Sequence, residues 1–103
     1  MHADFLAAIQ SKKKIGIRFN SQKDDDQTSR ICAPMDFGPH ARVPDKGNRY
    51  HVWNYRGTSG AHPMPIDPAE IISLDILEED FDPAEFVKWQ PKWHIKRDWG
   101  IYS

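Results

Sequence analysis

The chain has 103 residues, enough to bury one hydrophobic core and too few for two domains with separate cores. Its residues are 39% hydrophobic and 28% charged, which is typical of a folded domain and not of a disordered chain. No apolar run approaches the roughly 18 residues that span a bilayer, and residues 1–10 are too polar for a signal peptide. We therefore predict one domain over residues 1–103, with no membrane partner and a cytoplasmic location.

The net charge of −1 conceals three segments of different sign. Residues 1–66 carry ten Lys and Arg against six Asp, whereas residues 67–87 carry eight Asp and Glu and no Lys or Arg. Residues 88–103 carry four bases against one acid. The simplest interpretation is a pair of solvated faces of opposite sign, and a dedicated site for a polyanion is the alternative.

The first predicted elements are a short helix and a strand. Asp4 is suited to cap a helix from Phe5 to about residue 13, because its carboxylate can accept hydrogen bonds from free backbone N–H groups. Ile15, Ile17 and Phe19 then alternate with polar residues or glycine, which predicts a half-buried strand.

A polar loop is predicted over residues 20–29, followed by a returning strand over Arg30–Ala33 that Pro34 ends. Residues 38–48 hold prolines and glycines and predict an irregular connection that closes in a turn. Arg49–Tyr55 is dense in aromatic and β-branched residues and is the clearest strand of the sequence.

The next elements alternate turns and strands. A turn over residues 56–61 precedes a short strand, Met64–Ile66, whose neighbouring prolines favour the edge of a sheet. Asp67–Glu70 has the capping pattern of a single helical turn, and Ile71–Leu77 predicts a fifth strand. A small barrel is the predicted arrangement, because closure hides the edges that an open five-stranded sheet exposes. Its predicted core is Ile15, Ile17, Phe19, Ile31, Val52, Ile66, Ile72, Leu74 and Ile76.

The chain is expected to continue past the barrel. A second Asp-Pro-Ala-Glu sequence at residue 82 predicts a short helix to about Trp89, and residues 92–103 form an aromatic tail that is strand or coil. Trp89, Trp93 and Trp99 either cover the open side of the barrel or bury their rings against a protein partner or a second copy. We expect the first arrangement, because packing across a barrel mouth commonly completes a small core.

The order of residues resembles that of the WYL domain, a small Sm-like (SH3-like) barrel of bacterial and phage-defence regulators. Arg30–Pro34 is similar to the Arg-x-x-x-Pro element of that family, and Arg49–Val52 stands where its Trp-Tyr-Leu motif lies. Residues 64–67 resemble its last conserved segment, although Pro65 and Pro68 replace the arginines found there. The resemblance implies an Sm-like barrel over about residues 13–81 with a ligand-sensing role, and we expect residues 82–103 to be an extension of it. Regulators of this family usually carry a separate helix-turn-helix that reads DNA, and no such element fits in this sequence.

Catalytic and metal chemistry find little support in the sequence. The five histidines have no ligand-like spacing, and Cys32 has no second cysteine beside it, so no metal or other cofactor is expected. Cys32 lies between Ile31 and Ala33 in a predicted strand, where a small buried side chain is the ordinary interpretation. No nucleophile elbow or phosphate loop is present, and we predict a protein that is not an enzyme.

A group of cations and aromatic rings on neighbouring strands is the predicted ligand site. Rings stack on bases and guanidinium groups meet phosphates, as in proteins that bind single-stranded nucleic acid. Alternation sends either Tyr50 or its neighbours Trp53 and Tyr55 toward the core, and the sequence permits both assignments. The predicted ligand-binding residues are Arg18, Arg30, Arg49, Tyr50, Trp53 and Arg56.

Two functions follow as hypotheses. The first is a regulatory binding domain for a nucleotide or single-stranded nucleic acid, which the basic and aromatic strands favour. The second is a protein-interaction module that uses the acidic segment and the tryptophan-rich tail, with a protein partner or a homodimer as the product.

Overall fold

A computed structural model describes residues 1–21, 26–42, 44–57 and 60–103. The helix α1 spans His2–Ser11, and the strands are β1 Lys13–Ser21, β2 Asp26–Pro39, β3 Asn48–Gly57, β4 Gly60–Ile66 and β5 Ile71–Asp80. Short 3-10 turns lie at Pro44–Lys46, Pro68–Glu70, Pro83–Glu85 and Gly100–Tyr102. No helix in the described ranges has the length and apolar content that crossing a membrane takes.

The helix α1 lies slightly earlier in the chain than predicted. Asp4 falls inside its first turn instead of capping it. Lys12 adopts a left-handed conformation with φ of 55°, which ends the helix and turns the chain into β1. Phe5 and Ile9 are fully buried and form the apolar face of the helix.

The five strands form one antiparallel sheet in the order β4-β3-β2-β1-β5. This confirms the predicted mostly-β class, the five strands and the N-terminal helix. β4 and β5 are the edges of the sheet, and the described residues form no ladder between them. Closure into a barrel is therefore not seen, and the barrel stays a prediction.

One side of the sheet, here called the inner face, carries most of the predicted core. Residues that pair across antiparallel strands share a face, so Cys32, which pairs with Ile15, also points inward. Phe5 of α1 packs against Tyr50 of β3 on this side, with ring centroids 4.7 Å apart. The predicted core residues that are buried here are Ile15, Ile17, Phe19, Val52 and Ile66.

Four predicted core residues are not fully buried. Ile31 is 55% exposed, because the inner position of this part of β2 belongs to Cys32 and its neighbour points the other way. Ile72 and Ile76 are each 43% exposed, and Leu74 is half-buried. These three lie on β5, which pairs with a single neighbouring strand and shifts register twice against it.

β2 is much longer than the predicted strand, which was expected to end at Pro34. Its pairing with β1 reaches Cys32, and beyond that point β2 pairs with β3 alone. Pro34 thus lies just beyond the ladder with β1, in the part of β2 that has a partner strand on one side alone, where a proline is tolerated. A register shift between Pro34 and Asp36 adds a bulge, and the strand continues to Pro39.

The predicted turn chemistry is confirmed at three places. Gly47 has a positive φ of 85° at the predicted turn before β3. Asp67 accepts a hydrogen bond from the Ala69 N–H at 3.0 Å and caps the 3-10 turn before β5. Asp82 and Glu85 form a complete capping box, but the predicted helix to Trp89 is shortened to Pro83–Glu85.

Two predicted loops fall partly outside the described residues. The loop over residues 20–29 is narrower than predicted, since β1 continues to Ser21 and β2 begins at Asp26. The turn over residues 56–61 is likewise bounded by Gly57 and Gly60. The prediction of an edge strand next to this turn is confirmed, because β4 lies at one edge and contains Pro63 and Pro65.

Residues 81–103, here called the tail, pack against the opposite side of the sheet, the outer face, and also reach α1, where the Trp99 indole N–H donates to the Ile9 carbonyl. Trp53 of β3 stacks on Phe86 of the tail, with ring centroids 5.5 Å apart and planes inclined by 16°. Gly38 lies so close to the tail that a Cβ atom there would overlap the His94 ring. The tail is mostly coil and packs on its own domain, where Trp99 is 3% exposed, and its expected position across a barrel mouth stays a prediction.

A buried ion pair fixes the tail to β2. The Arg97 guanidinium lies 3.2 Å from the Asp36 carboxylate and also donates to the Met35 carbonyl. The same carboxylate accepts the backbone N–H groups of His94 and Ile95, each at 2.9 Å. Burial lowers the pKa of Arg97 to about 10 in spite of the neighbouring carboxylate, because desolvation penalises the charged guanidinium.

Candidate ligand-binding surface

The structure does not bring the six predicted ligand-binding residues together. Tyr50 points into the core, is 3% exposed, and its hydroxyl lies 2.7 Å from Nδ1 of His2. Trp53 points outward, but Phe86 of the tail covers its ring. The sequence did not decide which of these two rings points toward the core, and the structure places Tyr50 inside and Trp53 outside. Neither ring is therefore free to stack on a base.

Arg49 is held by its own surroundings at the beginning of β3. Its guanidinium donates to the carbonyls of Lys46 and Asn48, at 2.9 and 3.2 Å, and lies 3.9 Å from the Asp67 carboxylate. It pairs with Gly38, at the end of β2 that is remote from Arg30. Arg49 is therefore separated from the other predicted cations.

Arg30 and Arg56 line one cavity of about 570 Å³ at the other end of β2 and β3. An adjoining cavity of about 470 Å³ reaches Arg18 on β1, and Ser29, Arg30 and Ile31 line both. The two cavities share lining residues, but Arg30 pairs with the inward Ile17 and Arg18 pairs with Ser29 on the other face, so the three arginines do not lie on one face of the sheet. We call the larger of the two spaces the arginine cavity, whose lining is Lys14, Ser29, Arg30, Ile31, Asn54, Tyr55, Arg56 and Glu79.

The charge of the arginine cavity is positive. Lys14 pairs with Glu79 at 2.9 Å, so the lysine charge is balanced. Within the described part of the chain, neither Arg30 nor Arg56 has a carboxylate within ion-pair distance, and Arg30 donates only to the Ser29 carbonyl. Neither of these two arginines is therefore neutralised by a carboxylate of the described residues.

Tyr55 supplies the most unusual group of the arginine cavity. Its hydroxyl oxygen is buried, yet it forms no hydrogen bond with any residue that the structure describes. Burial, followed by the nearby Glu85 and Glu79 carboxylates, raises the pKa of Tyr55 to about 12, so the phenol stays protonated and able to donate. Nζ of Lys14 lies 4.6 Å from the centre of the Tyr55 ring, which fixes the ring against β1.

Sequence reasoning missed Lys14, Asn54 and Glu79 as members of this site. Lys14 precedes the buried Ile15, so alternation alone places it on the outer face. Glu79 reaches the cavity only because β5 pairs with β1, a long-range contact that no local pattern reveals. Asn54 is buried and had no signal, since a buried asparagine is not predictable from its neighbours.

The cysteine and the histidines, which are the residues with catalytic or metal-binding chemistry, do not line the arginine cavity. Cys32 is fully buried, and burial raises the pKa of its thiol to about 12, so it is not an activated nucleophile. The rings of His40 and His51 are 6.3 Å apart, but the described residues contain no group of three His, Cys, Asp or Glu suited to a metal ion. The predictions of no enzyme activity and no metal stay predictions.

Comparison with known proteins adds no relative, because no family model, curated protein or solved structure matches the chain. The resemblance to the WYL domain therefore depends on the residues quoted from the sequence. In the structure its Arg30–Pro34 element lies in β2, and its Arg49–Val52 element lies in β3.

Proposed function

We propose that this protein is a non-enzymatic regulatory binding domain, and that the arginine cavity receives a phosphate of a nucleotide or of a short single-stranded nucleic acid. The observation that carries the proposal is that Arg30 and Arg56, which have no carboxylate partner among the described residues, line one cavity together with Tyr55, whose buried hydroxyl forms no hydrogen bond with a described residue. Guanidinium groups and a phenol donor are the groups that bind phosphate oxygens.

The chain order and the sheet support an Sm-like barrel of the WYL type as the frame for this site. In this proposal the sheet curves into a partly open barrel in which the 3-10 turn at Pro68–Glu70 joins β4 to β5, and these two edge strands stay unpaired, as they are in the described residues. In this proposal the arginine cavity replaces the family's ligand arginines, whose places are taken by Pro65 and Pro68.

The rival hypothesis of a protein-interaction module depends on exposed tryptophans in the tail, and two of them already make contacts within the domain. Trp99 is buried in its own domain, and Trp93 donates its indole N–H to the Tyr102 carbonyl within the tail. Trp89, which is 44% exposed, is the tryptophan of the tail with the most surface left for a partner.

Replacing Arg30 and Arg56 together by Ala is expected to weaken binding of a labelled oligothymidylate by about tenfold at low salt. Each lost phosphate contact is also expected to make the log-log salt dependence shallower by about 0.7 for a single strand. Fluorescence anisotropy between about 50 and about 200 mM salt measures both quantities. Parallel titration with ATP distinguishes a nucleotide from a longer strand.

Arg49→Ala is the matched control, since it removes the same charge from the same sheet but from residues outside the arginine cavity. We expect this variant to bind like the parent protein. If Arg49→Ala weakens binding as much as the double variant, the effect is general electrostatics and the site is wrong. If the parent binds neither probe at low salt, the proposed function is wrong.

Tyr55→Phe is expected to separate binding from folding. The hydroxyl has no partner among the described residues, so its removal is expected to leave the free energy of unfolding unchanged or higher. Loss of its hydrogen bond to a phosphate is expected to weaken binding by about fivefold without changing the salt dependence. Urea denaturation and anisotropy measure the two effects on the same preparation. A variant that is destabilised, or that binds both probes like the parent, would show that the hydroxyl does not serve a ligand.

A further inference from the structure

The outer edge of β5 carries no paired strand among the described residues. β5 pairs with β1 on one side, and no strand in the described part of the chain pairs with its other side. The strand is ten residues long, and Ile72 and Ile76 are each 43% exposed along it. A long edge with exposed apolar side chains is a template for another strand.

The two edges of the sheet differ in their capacity to accept a strand. β4 contains Pro63 and Pro65, which have no N–H group and so remove donors from that edge. β5 contains no proline, and every one of its residues has a backbone N–H. Addition of a strand is therefore expected at β5 and not at β4.

The negative charge of β5 favours a basic strand as its partner. Asp75, Glu78, Glu79 and Asp80 lie on this strand, and it has no basic residue. Glu79 pairs with Lys14 and Asp80 with Lys13, whereas Asp75 and Glu78 are exposed and have no ion pair with a described residue. The edge thus keeps negative charge after its own salt bridges are formed.

A second copy of this chain is a poor occupant of the edge. Two β5 strands placed side by side would bring like charges together, which destabilises cross-strand pairs. A β4 strand from another copy would lack the donors that Pro63 and Pro65 cannot supply. We therefore infer that the free edge of β5 binds an extended, basic segment of a different protein, which adds to the sheet as a sixth strand.

In this mode the backbone supplies the affinity and the side chains supply the selection. Asp75 lies on the face of β5 opposite Ile72, Ile76 and Glu78. Bases on one side of the segment would meet Asp75, while the other side would cover Ile72 and Ile76 with apolar residues and meet Glu78 with a base. The edge does not depend on the arginine cavity, so this inference stands or falls separately from the proposed function.

The test uses three short labelled peptides with the full-length protein. The first alternates Lys with Val, the second has the same sequence with every backbone amide N-methylated, and the third replaces Lys by Glu. We expect saturable binding of the first alone, measured by fluorescence anisotropy. The N-methylated peptide keeps charge and side chains but has no donors, so equal binding of that peptide would overturn strand addition.

Charge reversal of the edge supplies the second part of the test. Asp75→Lys with Glu78→Lys is expected to weaken binding of the Lys-Val peptide by about tenfold. Asp45→Lys is the matched control, because Asp45 is exposed and lies in the turn between β2 and β3. Unchanged binding by the double variant, or an equal loss in the control, would overturn the assignment to β5.

Two further outcomes are decisive. Arg30→Ala with Arg56→Ala is expected to leave peptide binding unchanged, so failure of the proposed function does not affect this result. Dimerisation of the parent by sedimentation, abolished by charge reversal at Asp75 and Glu78, would show that a second copy occupies the edge and would overturn the inference. Absence of binding by all three peptides would also overturn it.

Discussion

Replacing Arg97 by Met is expected to lower the free energy of unfolding by about 3 to 5 kcal/mol. The Arg97 side chain is fully buried beside Asp36, and its guanidinium lies 4.1 Å from the centre of the Trp93 ring and 4.4 Å from that of Trp99. Methionine fills a similar volume but leaves the Asp36 carboxylate buried without a cation. Urea denaturation followed by circular dichroism measures the loss.

Lys96→Met is the control for this change, because Lys96 is adjacent in the chain and exposed. It is expected to cost less than about 0.5 kcal/mol. Asp36→Asn completes a double-mutant cycle, in which we expect a coupling energy between residues 36 and 97 of at least about 1 kcal/mol. A loss below about 1 kcal/mol in Arg97→Met, or independent effects in the cycle, would mean that the pair does not fix the tail.

The strands of this fold were predictable where alternation and composition agree. Ile15, Ile17 and Phe19 alternate with polar residues or glycine, and their burial follows from the period of two. The aromatic strand β3 and the proline-rich edge strand β4 were also found, because their signals are local. What a local pattern cannot give is the choice of inner face, and β2 shows this directly. There the small Cys32 is buried and the larger Ile31 is exposed.

The remaining errors come from long-range pairing. Pro34 ends a strand in isolation, but β2 passes through it because β1 no longer pairs at that point. Ile72 and Ile76 alternate with polar residues, which predicts them in the core. The position of β5 at the edge of the sheet leaves each of them 43% exposed. Neither circumstance is visible before the order of the strands is known.

The sequence predicted the types of residue at the candidate site, but it did not predict which individual residues line the cavity. Arg30 and Arg56 were identified as cations on neighbouring strands, and the structure places both on one cavity. Tyr50 was included because it matches a family motif, yet its ring belongs to the core. Tyr55 alternates with Trp53 on the outer face, but only the packed structure shows that its hydroxyl is buried without a partner.

The tail illustrates how an uncertain segment acquires a structural role. Its sequence has no strand or helix period, and most of it is coil in the structure. Its order comes from side chains: Trp53 and Phe86 stack, Phe81 meets Trp99 edge to face, and Trp99 reaches the helix. A coil that buries aromatic rings in this way completes the core between Trp53 of the sheet and the end of α1.

Replacing Trp99 by Ala is therefore expected to lower the free energy of unfolding by about 3 to 5 kcal/mol. The indole is 3% exposed, and its N–H donates to the Ile9 carbonyl at the end of α1 at 2.9 Å. The change removes a large buried ring, and it also leaves Arg97 without one of the two rings that its guanidinium contacts. Denaturation by urea, followed by far-UV circular dichroism, measures the loss without depending on the fluorescence of the remaining tryptophans.

Two variants show which part of Trp99 is responsible. Trp99→Phe keeps an aromatic ring but loses the donor to the Ile9 carbonyl, and its expected cost is smaller, about 1 to 2 kcal/mol. Trp89→Ala removes a tryptophan of the same tail that is 44% exposed, and its expected cost is below about 1 kcal/mol. If Trp99→Ala costs no more than Trp89→Ala, the tail does not complete the core. Its rings would then be available to a partner, as the protein-interaction hypothesis requires.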